Sequence, residues 1–308
     1  MRAYIYRSYG PPEVLQVAEL AIPKLGDKDL LVKVHASTVT PGVSYVRQGI
    51  VPGSTLKTLL MRLVFGIRKP RRPILGYEFS GVIETVGANV TQFKKGDAVY
   101  GTATGLKAGS YADYLVVPER WRWGVMAKMP DTLSFEQAAA LPIGAMTALR
   151  ILLKAKIKSS DNILIYGGSG SVGSYAIQIA KYYGARVTAV CSRNNISLVT
   201  SLGADTAVDY TKKYIGALED SFDIVMDAVG KISRLDSRSI LKKGGVFCSV
   251  KSMTHEKQAY LNLLHQMIED KKLMPVIDRT YSFDQLKQAH SYVDKGHKRG
   301  NVVINHLF

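Results

Sequence analysis

The sequence predicts an α/β chain in two parts: a mainly antiparallel, barrel-like β domain and a doubly wound parallel sheet flanked by helices. Three observations predict it. Up to about residue 125 there are short β-like runs (RAYIYRS, LLVKVHAST, SGVIETVG, DAVYG, YADYLVVP) that alternate or carry β-branched residues, with Gly, Pro and Asp between them. From about residue 135, strand-like and helix-like runs take turns instead. At one such junction, LIYGGSGSVGS at 164–174, an apolar strand runs straight into residues with hardly any side chain.

The elements follow in order. A helical insert at 54–66 interrupts the β domain; its apolar residues Leu56, Leu59, Leu60, Leu63, Val64 and Ile67 share one broad helical face. FEQAAALPIGAMTALRILLKA reads as helix with a Pro that kinks or breaks it. Then come DNILIYGG, SVGSYAIQIAKYYG, ARVTAVCS, NISLVTSLG and TAVDY, followed by FDIVMDAVG, a helix around 235–241, and GGVFCSV. A helix is expected from Gln258 to Lys272, then β-like PVIDRTYS, a helix at 283–295 and a last strand, NVVINHL. There is no internal repeat and no low-complexity tract.

Composition narrows the class. The 308 residues are 46% apolar and 21% charged, the profile of a soluble globular protein with a substantial core. No run approaches the roughly 18 apolar residues of a membrane span. The start, MRAYIYRSYG, lacks the apolar stretch of a secretory signal, so a cytoplasmic setting is expected. Cys191 and Cys248 are too few for a disulfide framework or a four-thiolate zinc site, and read as buried reduced thiols. The net charge of +16 invites anionic partners. The dense run is KTLLMRLVFGIRKPRRP, 57–73, with six Lys or Arg and no acid. No zinc-knuckle, helix-turn-helix or aromatic-interleaved basic repeat accompanies it, which argues against specific nucleic-acid binding. Weak docking of 57–73 on an anionic membrane surface is one reading, a cover over an apolar substrate cleft another, and plain packing over the domain a third.

Gly168-Ser169-Gly170-Ser171-Val172-Gly173 fits G-x-G-x-x-G, and its context is a strand before and an apolar-periodic helix after. Glycines there permit a tight turn and close approach of backbone to a pyrophosphate at the helix N-terminus. The next strand ends in Cys191-Ser192-Arg193-Asn194-Asn195, with no acid for an adenosine 2′-hydroxyl. Ser192 and Arg193 can instead donate to a 2′-phosphate, so NADP, with NADPH preferred over NADH, is the expected cofactor.

PGVSYVRQG, RPILGYEFSGVIETVG, FKKGDAVYG, GSYADYLVVP, AAALPIGAMTAL, YGGSGSVG, SLGADTAVDY, DAVG and GHKRGNVVI, taken in order, resemble the medium-chain dehydrogenase/reductase superfamily in its zinc-free quinone oxidoreductase-like branch. The resemblance covers nearly the whole length. It implies a GroES-like β-barrel catalytic domain at 1–125 and 273–308 and a Rossmann domain at 126–272. It places Gly170, Ser171, Val172 and Gly173 under the pyrophosphate, Ser192, Arg193 and Tyr210 at the 2′-phosphate, and Val229 beside the adenosine half. Thr147, Val250, Lys251 and the Asn301 strand fall toward the nicotinamide. It also implies a homodimer through the Rossmann sheet edge.

Two departures from that family stand out. Zinc-dependent relatives have Gly-His-Glu and an upstream Cys; this chain has Gly76-Tyr77-Glu78, and Thr40 near the Cys position, so no zinc is expected. Relatives also carry some tens more residues after the GGVFCSV strand, where here Val250-Lys251-Ser252 joins almost directly to THEKQAYLNLLHQ.

Without zinc to hold an alkoxide, the easier task is reduction of a quinone or α,β-unsaturated carbonyl, whose oxygen takes up the charge. Tyr45, Thr40 and Tyr77 are the candidates for stabilising that oxygen. Glu78 is expected to be a buried hydrogen-bonding partner, with Arg47 as the suggested mate. The alternatives are an aldehyde or ketone reductase, and an NADPH-binding sensor or membrane-peripheral protein with little turnover.

Overall fold

The computed structural model describes residues 1–107, 109–252 and 255–306. The chain divides into two compact units, residues 1–142 with 277–308, and residues 143–276.

Unit 1 contains β1 (Arg2–Ile5), β2 (Gln16–Glu19), β3 (Asp29–Val39), α1 (Pro41–Gln48), α2 (Thr55–Phe65), β4 (Glu78–Val86), β5 (Ala98–Thr102), β6 (Tyr114–Pro118), β7 (Met126–Lys128) and α3 (Phe135–Ala140). Next comes α4 (Pro142–Lys154), which leads into unit 2: β8 (Asn162–Tyr166), α5 (Ser171–Tyr182), β9 (Arg186–Cys191), α6 (Ile196–Ser201), β10 (Thr206–Asp209), β11 (Phe222–Asp227), β12 (Leu241–Ser249) and α7 (Gln258–Glu269). The chain then returns to unit 1 as β13 (Ile277–Ser282), α8 (Leu286–Asp294) and β14 (Asn301–Asn305).

Unit 2 is the expected doubly wound sheet. Its five strands run β10-β9-β8-β11-β12, all parallel. The central strand β8 buries Ile163, Leu164 and Ile165 completely, as a strand covered on both faces must. Leu164 and Val225 share one core with Phe222 and Ile240.

The sheet of unit 1 is mainly antiparallel, as expected, with one parallel pair, β13 and β14. It does not close into a barrel among the described residues. The order is β13-β14-β3-β4-β5-β7, with β6 branching from β3. The cause is β3, 11 residues long: Asp29–Lys33 pairs with β6 while its far end, Ala36–Val39, pairs with β14. One strand therefore serves two neighbours on the same side, and the sheet forks instead of closing.

Two boundaries differ from expectation, and the later one only slightly: unit 1 resumes at 277 where the sequence suggested 273. β7 and α3 stay with unit 1, so its first segment ends at 142 where the sequence suggested 125. Phe135 stacks on His35 at 4.2 Å, its carbonyl accepts from Ser80 Oγ, and Ala139 and Ala140 pack on Ala36 and Val303. Leu141 and Pro142 break the helical run in two, as the proline requires. The helix expected around 235–241 is absent. Ser233 and Asp236 bond each other's backbone N–H groups there, and Ser237 bonds the carbonyls of Ser233 and Arg234. Such local side-chain bonds hold a turn in place of a helix. No helix among the described residues is long and apolar enough to cross a membrane.

Two histidines are sealed in unit 1. His290 lies edge-on to Tyr111 and faces Ser44 Oγ at 3.4 Å; His306 faces Ser37 Oγ at 2.8 Å. Burial pushes both down to about 3, with Arg47 adding to it at His290 and Arg2 and His35 at His306. An unfolded histidine titrates near 6.5. Between those values the unfolded chain holds protons that the folded one refuses, so stability falls as pH drops below 6.5, by about 1.4 kcal/mol per pH unit per histidine. The melting temperature is therefore expected to fall between pH 7 and 4, and to fall less in His290→Asn. Equal falls in the two proteins would contradict the buried neutral imidazole.

Candidate functional site

Every unit 2 residue singled out from the sequence except Thr147 lies at the carboxyl end of a parallel strand. The glycine loop follows β8, Ser192 and Arg193 follow β9, Tyr210 follows β10, Val229 follows β11 and Val250 follows β12. Open parallel sheets bind ligands along this edge.

The glycines of the loop are not equivalent. Gly167, one residue ahead of the motif, makes the turn: its φ is +82°, and a Cβ would lie 2.5 Å from Val229. A Cβ on Gly173 would sit 2.1 Å from the Gly167 carbonyl oxygen, so only glycine lets α5 pack this close to the turn. Gly170 is different. It has φ −78° and ψ 175°, open to any residue, and its Cβ would meet nothing closer than 3.5 Å. The protein does not need glycine there. A ligand lying against the backbone would. Gly170 is also the residue before α5, and no side chain caps that helix. An uncapped helix start beside open space suits a phosphate.

Gly168 is buried, and Ser169, Ser171 and Val172 are half-buried on the same loop. The start of α4 comes close to this loop, because a Cβ on Gly144 would reach Ser171 Oγ at 2.5 Å. Thr147 is one turn further along α4, 9% exposed.

Ser192 is half-buried and Arg193 exposed. Asn195, missed in the sequence, bridges two parts of the site: its Nδ2 donates to Ser192 Oγ at 3.0 Å and to Ser169 Oγ at 3.1 Å. Tyr210 is exposed, its ring tilted toward Tyr166 at 6.3 Å. An acid does stand at this edge, Asp209 on β10. Its Oδ1 accepts from the Thr211 N–H and hydroxyl, which hold its carboxyl below the usual range, so it forms a turn. Asp227, also missed, is fully buried. Its Oδ1 accepts from the backbone N–H groups of Val229, Gly230 and Lys231, and its Oδ2 from Ser249 Oγ, which fixes the loops after β11 and β12. Val250 N–H donates to the Asp227 carbonyl at 3.0 Å. Burial and the neighbouring carboxylates push the thiols of Cys191 and Cys248 up, to about 11 and about 12, so neither is a nucleophile.

Unit 1 holds the remaining candidates. Tyr77 adjoins a small cleft, open to solvent and with a cavity volume of about 20 Å³, lined also by Tyr6, Phe65, Arg72, Leu75 and Leu106. Its hydroxyl is buried with no hydrogen-bond partner among the described residues, and burial, then Tyr6, raises its pKa. It is thus a protonated phenol with an unused donor. Phe65 brings α2 to the rim of the same cleft. Thr40 caps α1, its Oγ1 accepting from the Val43 N–H at 3.3 Å. Tyr45 is half-buried on α1 and does not line the cleft. Asn301 is buried at the start of β14.

Glu78 is the expected buried partner, but it accepts from Thr38 Oγ1. Arg47 pairs with Asp294 at 2.6 Å, not with Glu78. A half-buried lysine, Lys298, whose amine donates to the Gly300 carbonyl, also escaped sequence reading. Burial lowers it to about 8, while Glu78 and Asp278 draw it back up. The donors at the position of a catalytic zinc do not suit that metal. Thr40 is a neutral cap, Tyr77 a protonated phenol, and Glu78 is engaged by Thr38.

Residues 26–131 match the family model of the alcohol dehydrogenase GroES-like domain, and residues 171–294 that of the zinc-binding dehydrogenase. The chain is 34% identical to 2-methylene-furan-3-one reductase of Solanum lycopersicum and 32% identical to the NADPH-dependent alkenal/one oxidoreductase of Arabidopsis thaliana. Each alignment covers 99% of this chain and 79% of the relative. The chain belongs to the medium-chain dehydrogenase/reductase superfamily, in its quinone oxidoreductase-like branch. It is an oxidoreductase. A quinone oxidoreductase structure from Coxiella burnetii superposes with a TM-score of 0.85 at 28% identity, over 100% of this chain and 99% of that one.

The loop glycines give a separable test. Gly173→Ala is expected to destabilise the protein by on the order of 2 kcal/mol or more, as a backbone clash does. Gly170→Ala is expected to keep the wild-type melting temperature and weaken dinucleotide binding by about tenfold, or 1.4 kcal/mol. Unchanged binding in a folded Gly170→Ala protein would show that the open space is not a phosphate cradle.

Proposed function

We propose that this oxidoreductase is NADPH-dependent and zinc-free, and that it delivers hydride to a quinone or an α,β-unsaturated carbonyl. The observation that carries the reading is the edge of unit 2. There the open cradle at Gly170 stands beside a β9 terminus that presents Ser192 and Arg193 in place of an acid. The names of the two plant relatives, one NADPH-dependent, support both cofactor and substrate class.

In this reading Gly168, Gly170, Ser171, Val172 and Gly173 hold the pyrophosphate. Ser192 and Arg193 hold the 2′-phosphate, with Asn195 fixing Ser192 and Tyr210 flanking the group. Val229 packs on the adenosine half, while Thr147 and Val250 serve the nicotinamide half. The reduced nicotinamide supplies a hydride when bound.

Unit 1 receives the substrate. Adding hydride to the β-carbon of an enal, or to a quinone, leaves charge on oxygen. A hydrogen bond from a buried donor stabilises such an oxygen far more than one from water. The Tyr77 hydroxyl is the donor the geometry favours, ahead of Tyr45 and Thr40, because it is buried, protonated and uncommitted beside the cleft. A homodimer joined across β12 belongs to the same reading: β12 ends the parallel sheet, and among the described residues no strand pairs with its outer edge.

The test follows NADPH absorbance with a benzoquinone, a medium-chain 2-alkenal, an enone and a saturated aldehyde, with NADH in parallel. Turnover of quinone or alkene with NADPH, unchanged by a chelator, is expected. Turnover of the saturated aldehyde alone would make the protein a carbonyl reductase, and NADPH binding without turnover would make it a sensor. Tyr77→Phe is expected to lower kcat by about a hundredfold and leave the KM for NADPH alone. Arg193→Ala is expected to raise the KM for NADPH by about tenfold and leave that for NADH unchanged. An unaltered kcat in Tyr77→Phe would reduce Tyr77 to a wall of the cleft.

A further inference from the structure

α2 differs from an ordinary surface helix in carrying apolar side chains on its outward as well as its inward side. Its inward side carries Thr58, Met61, Arg62 and Phe65. Met61 and Phe65 pack on the core of unit 1. The Arg62 guanidinium lies 5.1 Å from the centre of the Tyr9 ring and donates to the Gly49 carbonyl. The Thr58 hydroxyl is spent on backbone of the preceding turn. The outward side is where a water-facing helix carries charge. Here it presents Leu56, Leu59, Leu60, Leu63 and Val64, each between 48% and 68% exposed, and Ile67 continues the patch at 53%. No residue of the helix is buried. Ser54 caps one end and the Gly66 N–H closes the other, so the helix is well formed and is held by its mixed inward side. Isolated exposed leucines need no explanation, but six aliphatic side chains in one stripe do.

What lies beside the stripe says what covers it. Arg68, Lys69, Arg71 and Arg72 follow directly, all exposed, and Lys57 is exposed on the helix itself. None of them is in an ion pair among the described residues. There is no Asp or Glu between Asp29 and Glu78, so nothing local in the sequence offsets these cations. A second copy of this chain on the same face would bring two cationic turns together. A surface that offers an apolar layer beneath a sheet of negative charge satisfies both features at once.

We propose that α2 and the turn at 67–72 form a docking element for the surface of an anionic phospholipid bilayer. The leucines enter the boundary between headgroups and acyl chains, and the five cations meet the lipid phosphates. Docking of this kind does not depend on the reductase chemistry, and would stand if that reading failed.

The test is co-sedimentation of the full-length chain with vesicles of phosphatidylcholine, and of phosphatidylcholine containing phosphatidylglycerol. Binding is expected to the anionic vesicles, to exceed that to neutral ones by at least about tenfold, and to weaken as salt is raised. Leu59→Gln with Leu60→Gln, which alters side chains facing water, is expected to abolish most of it with melting temperature and circular dichroism unchanged. Arg68→Gln with Lys69→Gln is expected to weaken it by roughly fivefold per charge. Absence of binding at low salt would overturn the proposal. So would equal binding to both vesicle types. A change in oligomeric state in the leucine variant would overturn it in favour of a self-contact. A raised KM for a water-soluble quinone in that variant, with no vesicle binding by either protein, would overturn it in favour of a cleft cover. Retention on an acidic polypeptide matrix with no vesicle binding would assign the face to a protein partner.

Discussion

Packing of α5 against the turn that precedes it is the constraint on which the proposed cofactor site rests. A Cβ at position 173 would reach the Gly167 carbonyl oxygen at 2.1 Å, so the helix can lie where it does only because the side chain is missing. Once it lies there, its N-terminus opens at the carboxyl edge of the sheet with no side chain to cap it. A helix start carries partial positive charge, and Gly170 leaves room beside it for the phosphate of the proposed reading. Asn195 extends the arrangement, tying Ser169 of the loop to Ser192 beyond β9. Asp227 does the same at the other end, collecting three backbone N–H groups into one buried carboxylate. A phosphate at Gly170 and a phosphate at Ser192 would thus sit on backbone already held in place.

Unit 1 follows a different logic. Its forked sheet places β3 between β4 on one side and β6 and the C-terminal β14 on the other, and buried polar groups accumulate where they meet. Most are satisfied: Ser37 faces His306, Thr38 donates to Glu78, Tyr111 donates to the Thr38 carbonyl. Tyr77 is an exception, at the rim of a cleft, and an unpaired buried hydroxyl costs free energy that a substrate oxygen can recover. The same chain position is histidine in zinc-dependent members of the superfamily. In the proposed zinc-free reading, a phenol that stays protonated offers a hydrogen-bond donor in place of a Lewis acid, which suits a substrate that already tolerates added hydride.

Much of this was legible in the sequence, because it is local. Strand and helix periods gave the order of elements, and the helical insert expected at 54–66 matches α2, which Ser54 and Gly66 cap in the structure. The glycine motif marked the turn between β8 and α5, although the residue with positive φ proved to be Gly167, outside the pattern. What the sequence hid depends on partners far along the chain. Arg47 finds Asp294, 247 residues away, where Glu78 looked the nearer choice. Asn195 and Asp227 are ordinary polar residues until strand ends come together. The fork in β3 is a consequence of which strands pair, and alternation in single runs carries no record of it. The missing helix at 235–241 failed for a local reason, since Ser and Asp compete for the backbone there.

The most direct measurement is calorimetric titration of the wild-type protein with NADPH, NADH and adenosine 2′,5′-bisphosphate. A cradle that ends in Ser192 and Arg193 should bind NADPH at least about tenfold more tightly than NADH, the difference expected from one charge-assisted contact. It should also bind the bisphosphate in competition with NADPH. Equal affinity for the two dinucleotides, or tighter binding of NADH, would contradict the assignment of that edge to a 2′-phosphate.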